Sequence, residues 1–293
     1  MKQLVVLSGK GGTGKTTVAA ALAHLVSQET SIVLADADVD AANLELVLNP
    51  TKLKEQQFMG GKLARIDASL CTACGTCAEV CRFDAVIAGD ESYGIDELAC
   101  EGCASCFYQC PAEAIYMEEQ HAGQWYRSKT RYGPLFHAHL FAGQENSGKL
   151  VTLVKHQARL LALDADARLL IVDGPPGIGC PVIAACAGAD LALLVVEPTI
   201  SGVHDLKRIL GTAEHFAIRS LVLINKADLN ARRAQEIESF CASRGTVIVG
   251  HVPFDVVVTE AMVYGQAVTA YCDGLVSHAL RLAWERIKGR LEE

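Results

Sequence analysis

Two sets of residues in this 293-residue chain have the types and spacing to do chemistry. The first is Gly9-Lys-Gly-Gly-Thr-Gly14-Lys15-Thr16, which fits the pattern G-x-x-x-x-G-K-[ST]. Glycines in such a loop let backbone N–H groups converge on phosphate oxygens, and a following helix presents its positive end to the same charge. Gly11, Gly12, Thr13 and Gly14 are thus expected to cradle phosphates. Lys15 would reach the β- and γ-phosphates and Thr16 would hold Mg2+, with Thr17 as the next nucleotide contact.

The second set is sulfur. Eight of the twelve cysteines lie between Cys71 and Cys110, written as Cys71-x2-Cys74-x2-Cys77-x3-Cys81 and Cys100-x2-Cys103-x2-Cys106-x3-Cys110-Pro111. Without a secretion signal, such density argues for metal rather than disulfides. The two runs share one spacing, an apparent twofold repeat, and match the bacterial two-cluster ferredoxin run. In that run the fourth cysteine of each half ligates the other cluster. The expected sets are Cys71, Cys74, Cys77 and Cys110 on one [4Fe–4S] cluster, and Cys100, Cys103, Cys106 and Cys81 on the other. A pair of zinc sites is the alternative, but zinc favours two CxxC pairs set further apart. Arg82 departs from the proline many ferredoxins place there; Pro111 keeps it.

The longer string SGKGGTGKTT resembles the deviant Walker A motif of MinD/ParA-class P-loop ATPases, the class related to nitrogenase reductase. The resemblance extends through the cysteine runs, residues 130–134 and 145–149, Gly177-Ile-Gly-Cys-Pro181 and Glu197-Pro-Thr199. It covers nearly the full chain and points to MinD-superfamily ATPases with an inserted ferredoxin domain. It implies a homodimer closed across ATP, in which Lys10 reaches the partner's phosphates as an arginine finger does. By the same likeness Asp38 orients the attacking water and Asp173 lies near Mg2+ through water. Asn225 would contact the base, flanked by Pro253 and Asp255. Asn225-Lys-Ala-Asp228 also invites a guanine reading, and ATP is the expectation. Asp40 has a duller use, capping a helix beginning near Ala41. Cys180 resembles a nitrogenase-type cluster ligand on a switch, against a cysteine that only packs at the interface. Cys186, Cys241 and Cys272 read as small buried residues.

Positioning these groups requires elements on both sides of each loop. Apolar runs at 3–7, 32–35, 169–172, 191–196, 221–224 and 246–249 read as buried strands. Helical patterns fall at about 16–27, 150–163, 202–215, 231–243 and 275–289. This alternation predicts an α/β fold, a mostly parallel sheet covered by helices on both faces. Residues 59–120 break the rhythm and are expected to be an inserted α+β ferredoxin-like domain between the 1–58 and 121–293 parts of the ATPase. Residues 125–131 read only as a polar stretch.

Composition narrows the function. Twenty-six basic against thirty-four acidic side chains give a net charge of −8, which argues against a non-specific nucleic-acid coat. The longest uncharged stretch, 174–189, is broken by three prolines and too short to span a bilayer. A cytoplasmic protein without a stable membrane anchor is expected. The leading expectation is a Mg-dependent ATPase that couples nucleotide state to two clusters, in electron transfer or metallocofactor maturation with a redox or metallocofactor partner protein. A MinD/ParA-like positioning ATPase and an iron–sulfur carrier are the alternatives.

Overall fold

A computed structural model describes residues 1–144 and 147–293; Glu145 and Asn146, within the 145–149 stretch quoted above, lie outside the described residues. The strands are β1 (Lys2–Ser8), β2 (Ile32–Asp36), β3 (Thr51–Ile66), β4 (Val86–Ala88), β5 (Tyr93–Ile95) and β6 (Ile115–Lys129). They continue with β7 (Pro134–Leu140), β8 (Leu169–Pro176), β9 (Leu191–Val196), β10 (Arg219–Asn225) and β11 (Val247–Val252). Nine form one sheet in the order β11-β10-β9-β1-β8-β2-β7-β6-β3. From β11 to β7 every neighbouring pair runs parallel. Residues 130–133 join β6 to its neighbour β7, a link too short for a parallel crossover, so this pair is antiparallel.

β2 and β9 are buried along their whole length and β1 from Gln3 onward, which is why their centres read as apolar runs rather than alternations. Helices Lys15–Ser27 and Leu275–Glu292 contribute to one large core with Leu4, Val6, Leu34, Ile171 and Leu193. Within the final helix Val276, Leu280, Ala283 and Ile287 form a buried apolar stripe, while Leu275 is exposed.

Several local expectations need correction. The helix after β2 begins at Leu44, not near Ala41, and Asp40 makes no cap to it. Its first N–H instead donates to Asp36 Oδ2, from the end of β2. The polar stretch 125–131 is largely strand: Trp125, Tyr126 and Ser128 of β6 are buried. β3 is a sixteen-residue strand whose first seven residues are exposed. At the sheet edge it lacks the apolar face that makes a strand visible in sequence. Cys186 and Cys241 are buried, but Cys272 is only half-buried.

By internal contacts the chain divides into two units: Met1–Gln56, Gln124–His139 and Ser147–Glu293 in the first, Gln57–Gly123 and Leu140–Asn146 in the second. The second unit contains the antiparallel pair β4–β5 and two five-residue helices, Thr76–Val80 and Ser105–Gln109. Its small core comprises Ala64, Cys77, Cys106 and Ile115. Charge is distributed very unevenly. Residues 57–123 carry eleven Asp and Glu against three Lys and Arg, so the chain's whole net charge of −8 falls there. No helix among the described residues is long and apolar enough to cross a membrane.

Candidate functional site: a glycine-loop cleft and two cysteine cradles

The glycine loop leaves the carboxyl end of β1 and feeds the helix Lys15–Ser27, where an open parallel sheet places its ligand sites. Gly14 occupies the cap position in the left-handed region, φ +88°. A Cβ there would fall 2.2 Å from Asn225 Nδ2. That amide is committed elsewhere: Asn225 Nδ2 donates to Thr13 O at 2.7 Å, and Lys226 Nζ donates to Gly12 O at 2.9 Å. The end of β10 thus pins the loop by two of its carbonyls, leaving the loop's N–H groups for a ligand.

Lys15, at 6% exposure, lies between two carboxylates, one just past β2 and one within the neighbouring strand β8. Its Nζ is 3.6 Å from Asp38 Oδ2 and 3.5 Å from Asp173 Oδ1. Burial works against its charge, but Asp173, Asp38 and Asp36 outweigh that and raise its pKa. Asp36 is wholly buried behind them, accepting the N–H groups of Asp38 at 3.1 Å and Leu44 at 2.9 Å. Burial and then the Asp173 charge push the Asp36 carboxyl well above the usual carboxylate range, so it is a structural acid that shapes the loop after β2. Burial also raises Asp38, with Lys15 opposing.

Two buried oxygens, Thr13 Oγ1 in the loop and Asp173 Oδ2 behind Lys15, have no hydrogen-bond partner among the described residues, and Asp173 does not itself line the cleft. Buried polar atoms are normally satisfied, so a ligand or its ions would complete them. The cleft encloses about 690 Å3 and is lined by the loop, Asp38, Asn225, Pro253, Phe254 and Asp255, among others. The expected residues Gly11, Gly12, Thr13, Gly14, Lys15, Thr16 and Thr17 all line it.

Lys10 is turned away from that cleft, onto its own chain. Its Nζ pairs with Glu197 and donates to Thr199 Oγ1 at 3.2 Å and Ser201 Oγ at 3.0 Å. Glu197 also pairs with Lys226 at 3.1 Å, so one carboxylate holds both lysines. The sequence gives Glu197 no role beyond its place in the Glu197-Pro-Thr199 stretch that follows a buried strand. Cys180 is exposed and opens the helix Cys180–Cys186. Three carbonyls at the other end of that helix, Ala184, Ala185 and Ala187, accept from Lys155 Nζ.

In the second unit the eight cysteines sort into two groups of four. Cys71, Cys74, Cys77 and Cys110 line one small cavity with Ile66, Tyr93 and Ile115. Cys81, Cys100, Cys103 and Cys106 line another with Ala64, Phe83 and Ile95. All twelve cysteines of the chain are free thiols. The sequence repeat is also a backbone repeat, offset by the same spacing throughout. Ala73, Gly75 and Asp84 have positive φ, as do Gly102, Ala104 and Glu113. Thr76 Oγ1 lies 3.4 Å from Cys74 Sγ and Ser105 Oγ 3.5 Å from Cys103 Sγ. These hydroxyls lower the pKa of both exposed thiols, whereas burial raises Cys77 and Cys106. Ala114 N–H donates to Cys110 Sγ at 3.4 Å.

A parallel sheet with this glycine loop, one carboxylate just after β2 and another within β8, defines a P-loop nucleotide-binding protein. More narrowly, the chain belongs to the CobQ/CobB/MinD/ParA nucleotide-binding domain family, whose family model (CbiA) matches residues 4–268. It is 37% identical over 228 residues to the Methanocaldococcus jannaschii protein MJ0578, covering 78% of this chain and 79% of that one. It is 26% identical over 261 residues to the chloroplastic septum site-determining protein MinD homolog of Arabidopsis thaliana, covering 86% of this chain and 64% of that one. Among solved structures, MinD of Pyrococcus horikoshii complexed with Mg-ADP superposes with a TM-score of 0.60 at 17% identity, over 98% of this chain and 95% of that one. A chain of the MinC:MinD cell division protein complex of Aquifex aeolicus gives 0.62 at 18%, over 99% and 96%. Two such low-identity likenesses establish the fold. MinD and ParA members of the family are ATPases.

Proposed function

We propose that this protein is a Mg2+-dependent ATPase, dimeric across ATP, whose second unit holds two [4Fe–4S] clusters and presents them to a redox or metallocofactor partner in a nucleotide-dependent way. The observation that carries the reading is the sorting of eight free thiols into two four-cysteine cavities. Each cavity takes three cysteines from one run and the fourth from the other, the crossed pattern of two-cluster ferredoxins. Thiolate ligation suits iron, and the hydroxyls beside Cys74 and Cys103 favour the thiolate. Apolar walls limit water access, and the Ala114 N–H on Cys110 Sγ is the kind of contact that tunes a potential. Bound there, the clusters would supply one-electron storage; the chain supplies ligands, burial and hydrogen bonds.

On the nucleotide side, Lys15 and the loop N–H groups would bind the phosphates, with Thr16 on Mg2+ and Asp173 reaching it through water. Asp38 would orient the attacking water, and Asn225, Pro253 and Asp255 would bound the base. Lys10 would leave Glu197 to reach the phosphates held by the partner subunit, placing positive charge where the transition state needs it. The orphaned Asp173 Oδ2 and Thr13 Oγ1 support an occupied cleft.

The test is anaerobic purification of the full chain, with iron and sulfide counted and the reduction potential measured under ATP and ADP. About eight irons per chain and a nucleotide-dependent potential or partner affinity are expected. Zinc in place of iron, or GTP turned over while ATP is not, would refute it. A second reading, a positioning ATPase, draws support from the chloroplastic MinD homolog and from the MinD structures. Stimulation of ATP hydrolysis by liposomes or DNA would favour it. The apolar stripe of the last helix is engaged in the core, so a membrane response would have to come from another surface.

A further inference from the structure

Away from the nucleotide cleft and the cysteines, the first unit brings two histidines and a glutamate together. His137 and His139 sit two residues apart on β7 and meet Glu45, from the short helix Leu44–Leu48. One ligand atom from each lies within 4.8 Å of the others. Glu45 Oε1 is 3.0 Å from His139 Nε2, and Glu45 Oε2 is 2.9 Å from His137 Nδ1. The second contact is not a hydrogen bond, because the oxygen lies off the direction an N–H would take. His137 Nδ1, on a side chain with 0% exposure, therefore has no hydrogen-bond partner among the described residues. The other ring nitrogen is occupied: Ser128 Oγ lies 2.9 Å from His137 Nε2. If Nε2–H donates to that hydroxyl, Nδ1 carries the free lone pair, the arrangement by which an outer partner fixes a metal-bound histidine. The Tyr126 ring stacks on His137 at 5.0 Å and further holds its plane.

We infer that Glu45, His137 and His139 form a binding site for a divalent transition-metal ion of the zinc type, separate from the Mg2+ of the nucleotide cleft. Two imidazoles and one carboxylate form a donor set that such ions favour over Mg2+ or Ca2+, and they leave a coordination position open. His139 and Glu45 are partly exposed, which gives the ion a way in. The ion would also tie β7 to the helix that follows the Asp36–Asp38 loop, since the Leu44 N–H beside Glu45 is held by Asp36.

The inference is independent of the iron–sulfur reading, and its test keeps the two apart. Anaerobically prepared full-length protein, and its His139→Ala and Glu45→Gln variants, are titrated with Zn2+ against a competing chelator. Bound zinc is then characterised by X-ray absorption. One zinc per chain with nitrogen and oxygen neighbours and imidazole scattering is expected. Both variants should lose roughly tenfold or more in affinity with unchanged iron content and far-UV circular dichroism. Three results would overturn the site: no zinc bound by the wild type at micromolar concentration, a zinc signal with sulfur neighbours only, or both variants binding as the wild type does. The last would mean that Glu45 and the imidazoles are a hydrogen-bonded cluster and nothing more.

Discussion

The cysteine repeat contains its own control experiment. Ala73 and Gly102 occupy equivalent positions in the two turns, both with left-handed backbone, φ +51° and +62°. Ala73 is exposed and carries its Cβ there. At Gly102 a Cβ would fall 2.0 Å from Lys62 O and 3.1 Å from Lys62 C, atoms of β3 that no rotamer can move. Gly102→Ala therefore incurs the left-handed penalty of about 1–2 kcal/mol. It adds an overlap costing roughly 1–3 kcal/mol as strand and turn separate. The sum is about 2–5 kcal/mol, a large fraction of the stability of a small unit. Ala73→Gly relieves the first term and loosens the unfolded chain, so a net change within about 1 kcal/mol is expected. Urea unfolding of the full chain, followed by far-UV circular dichroism and, if the proposed clusters are bound, by their visible absorption, measures both. If Gly102→Ala unfolds at the wild-type midpoint, or Ala73→Gly loses as much, the contact with Lys62 is not what selects glycine.

Three further outcomes follow from the first unit. Asp38→Asn should lower ATP turnover by about a hundredfold or more while ATP binding persists, because water loses its orienting base but Lys15 keeps Asp173. Equal turnover would remove Asp38 from the reaction. Lys10→Ala should cost on the order of a thousandfold in turnover at saturating protein, and dilution should not deepen the defect. A variant as active as the wild type would remove the reach across the dimer. Burial lowers Lys155 to about 8, below its value in the unfolded chain. The unfolded state then holds more protons between pH 8 and 10.5, so stability rises with pH across that window, by about 3 kcal/mol relative to Lys155→Met. Parallel pH profiles in chemical denaturation would show that the carbonyls of Ala184, Ala185 and Ala187 hold the amine charged instead.

The legible part of this fold is the part that is buried on both faces. The apolar runs within β1, β2, β8, β9 and β10 mark those strands, and the helix Ala231–Ser243 coincides with the helical pattern at about 231–243. β3 and the first half of β6 escaped because one is an exposed edge of Thr, Lys, Glu and Gln, and the other passes through Glu118, Glu119, Gln120 and His121. β7, with two histidines among its inward residues, carried no strand signature either, and the Glu45 cluster went unseen with it. At the nucleotide cleft the loop is readable because phosphate binding restricts both residue type and spacing, whereas Asp38 and Asp173 are singled out only by the likeness to MinD/ParA ATPases. Glu197 was not, since a single carboxylate after a strand fits many roles until Lys10 and Lys226 are found on it. Both Asp36 and Asp38 are buried, but Asp36 accepts two backbone N–H groups whereas Asp38 faces Lys15, a division that residue type alone does not reveal.

The confinement of the whole net charge to residues 57–123 has a consequence for how the molecule behaves in bulk. The remainder of the chain is electroneutral at pH 7, the condition under which proteins self-associate most readily. The cysteine-bearing segment is therefore also the colloidal ballast of the nucleotide-binding unit. Excising it should leave a neutral nucleotide-binding scaffold of lower solubility at low salt. Adding lysines to it would shift the isoelectric point of the whole chain without touching a residue of the cleft.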